Sequence, residues 1–132
     1  MSEENVEIVR AMLDAFNRGD FDASLEFLAE DIEWHDPADV PGAGVHRGPD
    51  EVRRFFVAWL GAWETYTAEA EELIDAGDRV VVVHHEWGRG RESGIEVDNR
   101  SANLFELRDG KVVRRWPFPD RESALQAAGL AN

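Results

Sequence analysis

The stretch Asn99–Phe118, NRSANLFELRDGKVVRRWPF, constrains the fold most, because a dipeptide near its middle fixes which side chains can stand together. Two β-rich runs flank Asp109 and Gly110, the pair favoured in a two-residue type I′ turn, where both central residues take φ > 0. Such a turn pairs Arg108 with Lys111, Leu107 with Val112, Phe105 with Arg114, Asn103 with Trp116 and Ser101 with Phe118. One face of the expected hairpin then carries Ser101, Asn103, Phe105, Leu107, Val112, Trp116 and Phe118, with Arg114 as its only charge. The other carries Arg100, Ala102, Leu104, Glu106, Val113, Arg115 and Pro117.

Elsewhere the apolar period identifies the elements. Val6, Val9, Met12, Leu13 and Phe16 recur at helical spacing after an acidic opening, which predicts a helix over 3–18 ending at Gly19. Asp20 is placed to cap a second, shorter helix with Phe21, Leu25 and Leu28 on one face. The run DIEWHD, 31–36, alternates as a strand, with Ile32, Trp34 and Asp36 on one side and Glu33 and His35 on the other. The segment PADVPGAGVHRG has no period and reads as a surface loop or lid. After it, Pro49 suits a first helical turn, and Val52, Phe55, Phe56, Trp59, Leu60 and Trp63 form a broad apolar stripe. Core packing is the leading reading of those aromatics.

Strand signals follow from Thr65. One run reaches Asp75, turns at 76–78, and is followed by Arg79–Trp87 with its unbroken valines Val80–Val83. A continuous apolar run implies that both sheet faces are covered, one by the helices and the other, on this reading, by a second protomer. Asp120 caps a short terminal helix that stops at Gly129. Helices, a first strand, a further helix, antiparallel strands and a last helix make an α+β domain, with a curved antiparallel sheet wrapped around the N-terminal helices.

The 132 residues fit a single domain over 1–132. A net charge of −14 argues against nucleic acid and anionic membrane surfaces, which are held by clustered Lys and Arg. No apolar run approaches the roughly 20 residues of a membrane span, and the opening MSEENVEIVR lacks a signal-peptide pattern, so a cytoplasmic protein is expected. The absence of cysteine excludes disulfides, thiolate metal sites and a cysteine nucleophile.

Three segments, AFNRGDFDASLEFLAEDIEWHDP, HRGPDEVRRFF and LRDGKVVRRWPFPDRESALQAAGL, resemble the SnoaL-like branch of the nuclear transport factor 2-like superfamily. The resemblance covers nearly the whole chain. It implies a cone whose open end is a largely apolar pocket, and frequent homodimers through the outer sheet face. It is poor for function, because the superfamily holds ketosteroid isomerases, polyketide cyclases, epoxide hydrolases, dehydratases and pocket proteins without a known reaction.

By resemblance to the isomerases, whose catalytic aspartate follows the first short strand, Asp36 becomes the candidate general base. An apolar surrounding beside Trp34 would disfavour its charged form; the alternative is an Asx-type turn residue before Pro37. The isomerase tyrosine falls on Met12, which cannot donate, and the second isomerase carboxyl falls near Asn103, whose amide can donate, as can Trp116 Nε1. The cyclase histidine is missing at Asn103, and KVVRRWPF holds no acid. His84 and His85 must point to opposite faces, and the resemblance turns His84 inward.

The candidate catalytic residues are thus Asp36, Asn103 and His84. The candidate ligand-binding residues are Met12, Phe16, Trp34, Phe56, Trp59, Phe105 and Trp116. His35, Asp36, His46 and His84 lack the compact spacing of a metal motif, so neither a metal nor another cofactor is expected. The expected function is binding of a small, largely apolar molecule, with Asp36 driving proton transfer, isomerisation or cyclisation. The alternative is a non-catalytic binding or dimeric association module of the same fold.

Overall fold

The computed structural model describes residues 2–37 and 44–130. Helix α1 spans Ser2–Asn17 and buries Val9, Met12 and Ala15, which lie three residues apart on one face. It stops at Gly19, whose φ of 78° a side chain would strain. Asp20 caps α2, Phe21–Leu25, by accepting from the backbone N–H of Ala23. The helix is shorter than its sequence suggests, since Leu28 already opens strand β1, Leu28–His35. Ser24 ties the two helices by donating to the carbonyl of Met12 at 3.1 Å.

The segment 38–43, half of the expected loop, lies outside the described residues. Its far end is not loop but strand β2, Val45–Arg47, antiparallel to β1. Helix α3 spans Gly48–Gly61 with proline in its first turn. Trp63, read with that helix, instead starts β3, Trp63–Asp75. The remaining elements are β4, Arg79–Gly90; β5, Glu96–Arg108; β6, Lys111–Phe118; and α4, Arg121–Ala127, capped by Asp120. This is an α+β fold.

The six strands form one sheet in the order β2-β1-β6-β5-β4-β3. All neighbours are antiparallel except β1 and β6, which run parallel. The helical face holds the larger core, in which Ile32, Val52, Val80, Val82, Phe105 and Val112 are fully or almost fully buried. The outer face holds a second cluster, where Val81, Ala102 and Leu104 pack against Ala124 of α4. Helix α4 of the same chain therefore covers Val81, so burial of the valine run does not by itself require a second protomer.

The β5–β6 turn forms as expected, with Asp109 at φ 52° and Gly110 at φ 77°. Arg108 pairs with Lys111 and Leu107 with Val112, and then the register slips. Glu106 pairs with Arg114 rather than Val113, leaving Val113 as an inserted bulge residue. Beyond the bulge, Phe105 faces Arg115, Leu104 faces Trp116 and Asn103 faces Pro117. One extra residue reverses the facing of all that follows. Trp116, expected on the inner face with Asn103, instead packs against the outer cluster. The inner charge is Arg115, not Arg114.

Candidate functional site

Where the helices diverge from the inner sheet face they leave an apolar cavity of about 880 Å³. That volume lies within the range of small-molecule sites, roughly 300–1,000 Å³. Aromatic packing shapes its wall. Phe56 meets Phe16 edge-on at 5.0 Å between centroids and Trp34 at 5.4 Å, and Trp34 leans on Phe105 at 6.1 Å. Met12, Phe16, Trp34, Phe56, Trp59 and Phe105, read from sequence as ligand-binding, all line the cavity. Trp116 does not, for the bulge turns it outward, where its ring stacks on His35 at 5.6 Å.

Polar groups cross this wall strand by strand. Asp36, just past the end of β1, lines the cavity and faces His46 of β2, whose Nε2 lies 3.0 Å from Asp36 Oδ1. Asp36 Oδ2 accepts from the backbone N–H of Gly44 at 3.3 Å. The carboxylate is thus held by a ring and by a backbone donor eight residues on, in place of the local Asx-type turn that was the alternative reading.

Next along the sheet, Arg115 of β6 lies with its guanidinium 4.7 Å from the Trp34 ring centroid. Its Nε donates to Asn103 Oδ1 and its Nη1 to the carbonyl of His35, each at 2.9 Å. Asn103, expected as a donor, here supplies an acceptor to the arginine. Burial lowers the Arg115 pKa to about 10, opposed by the negative charges of Asp36 and Glu86, so the side chain stays cationic at neutral pH.

On β4, His84 and Glu86 point into the cavity, and His85 points away to Asp98 at 2.8 Å. His84 is 6% exposed, and neither ring nitrogen has a partner among the described residues. Burial lowers its pKa to about 4, with the Glu86 carboxylate opposing and Arg115 reinforcing the shift, so the ring is neutral at pH 7. Glu86 accepts from Tyr66 on β3 at 2.8 Å and from Ser101 on β5. Burial and the neighbouring Glu86 charge raise the Tyr66 pKa, so its hydroxyl remains a donor.

The structure therefore brings Asp36, His84 and Asn103 to one cavity, together with Arg115, Glu86, Tyr66 and His46, which sequence reasoning had not assigned to it. Glu86 was within reach, since it lies two residues after His84 on a strand and must share its face. Arg115 was hidden by the bulge. The local hint is the adjacent apolar pair Val112–Val113, which breaks the alternation of the strand.

Comparison with known proteins agrees with this architecture. A family model for the SnoaL-like domain matches residues 9–115. An uncharacterised protein of Mycobacterium tuberculosis is 31% identical over 121 residues, spanning 88% of each chain. Among solved structures, a nuclear transport factor 2-like protein of Burkholderia thailandensis is 33% identical, with 95% of each chain covered and a TM-score of 0.80. A putative polyketide cyclase of Sinorhizobium meliloti is 29% identical, with 83% of this chain and 91% of that chain covered and a TM-score of 0.67. Sequence and architecture agree, and the chain belongs to the SnoaL-like domain family, with a nuclear transport factor 2-like fold.

Proposed function

We propose that the protein binds a small, largely apolar molecule in this cavity and moves a proton on it, with Asp36 as the base. The observation that carries the reading is the Asp36–His46 pair at 3.0 Å on the wall of a cavity otherwise lined mainly by aromatic and aliphatic side chains. A carboxylate held in place by a ring and a backbone N–H is oriented for proton abstraction, and the adjacent imidazole can take up or return the proton. The putative polyketide cyclase among the similar structures makes ring closure of a carbonyl compound one form of that chemistry. The test is turnover of a panel of carbonyl, polyketide-like and epoxide substrates by the wild type and by Asp36→Asn. A substrate turned over at least a hundredfold more slowly by the variant supports the reading; equal turnover removes Asp36 from the mechanism.

A homodimer through the outer sheet face belongs to the same proposal. Its support is Trp87, 38% exposed on that face and packed against the His85 ring at 4.6 Å between centroids. Sedimentation that gives only a monomer at micromolar concentration would remove it.

A further inference from the structure

Arg115 is a cation in a largely apolar cavity, and among the described residues no carboxylate touches it. Its hydrogen bonds go to neutral acceptors, Asn103 Oδ1 and the His35 carbonyl, and Nη2 has no partner among the described residues. The acids that could neutralise it are engaged elsewhere, Asp36 with His46 and Gly44, and Glu86 with Tyr66 and Ser101. Both act on Arg115 only through their field, which favours its charged form. A charge withdrawn from water is costly unless a counter-charge or hydrogen bonds replace the water. Two other groups on the same wall also lack partners among the described residues. These are Trp34 Nε1 and the His84 ring nitrogens, on side chains 7% and 6% exposed.

The cavity's carboxylates thus have their hydrogen-bond partners, while its guanidinium has no counter-charge in contact among the described residues. We propose that the cavity selects an apolar ring compound bearing a carboxylate, whose oxygens accept from the free edge of Arg115. A planar guanidinium matches two coplanar oxygens better than a single carbonyl. The aromatic walls take the ring. This rests on the pocket reading above and adds the charge of the ligand. The chain carries a net charge of −14, which repels anions at long range. A preference for an anion must therefore come from a local cation.

The test is calorimetric titration at pH 7 with 2-naphthoate and with 2-naphthamide, a neutral compound of nearly the same shape. The wild type is expected to bind the carboxylate at least tenfold more tightly than the amide. In Arg115→Met that ratio falls to one or below while the amide still binds. Equal or tighter binding of the amide by the wild type overturns the proposal, as does an unchanged ratio in a variant with the wild-type circular dichroism spectrum. If Arg115→Met does not fold, the wild-type ratio decides alone. Failure of both compounds to bind refutes the pocket reading itself, and with it this inference.

Discussion

His84→Leu isolates the cost of keeping an imidazole neutral inside this protein. The ring is 6% exposed, its nitrogens have no partner among the described residues, and its folded-state pKa is lowered to about 4. An unfolded histidine titrates near 6.5. Between those values the unfolded chain binds the proton and the folded chain does not, so falling pH favours unfolding. Stability associated with His84 is complete above about pH 6.5 and drains away as the pH falls toward 4. The full difference of roughly 2.5 pKa units corresponds to about 3 kcal/mol, and about 2 kcal/mol of it is lost between pH 7 and pH 5. Leucine cannot titrate and suits the apolar wall. Urea denaturation of both proteins at pH 7, 6 and 5 is the assay. The wild-type unfolding free energy is expected to fall by about 2 kcal/mol more than that of the variant across this window. Comparing the two slopes isolates the contribution of the imidazole from that of the background the two proteins share. Parallel slopes would refute the reasoning, for they would mean that His84 is protonated in the folded protein as readily as in the unfolded one.

Two further perturbations test the scaffold. Phe105, 1% exposed and packed between the core and Trp34, should cost about 3–5 kcal/mol when replaced by alanine, read as a lower urea midpoint at unchanged m-value. Gly88 lies opposite Tyr66 in the β3–β4 ladder, and an added Cβ would stand 2.3 Å from the Thr65 carbonyl oxygen. Gly88→Ala must push these strands apart locally, so hydrogen exchange should accelerate at amides around Thr65 and Trp87 while those near Ile74 and Val81 keep their protection.

Much of the fold was legible because it follows from local chemistry. The Asp109–Gly110 turn needs only two residues that tolerate positive φ, and the caps at Asp20 and Asp120 need only a short acceptor before a helix. The apolar periods of α1 and α3 named Met12, Phe16, Phe56 and Trp59, which the structure then gathers on one cavity wall. Opposite facing of His84 and His85 required only the two-residue repeat of a strand.

What the tertiary structure decided depends on contacts between segments far apart in sequence. Whether Val113 is paired or extruded is settled by how β6 fits between β5 and β1 at once, so the hairpin alone could not reveal the bulge. That single insertion moved Trp116 outward and brought Arg115 onto Trp34. The cover over Val81 comes from α4, more than forty residues later in the chain, and the sequence could state only that some cover was needed. Sequence by itself therefore determined the elements, the hairpin turn and the apolar character of the cavity, each a matter of neighbouring residues. The cavity's charge was decided by strand register, because a one-residue slip inverts every later side chain and costs too little locally to leave a clear trace.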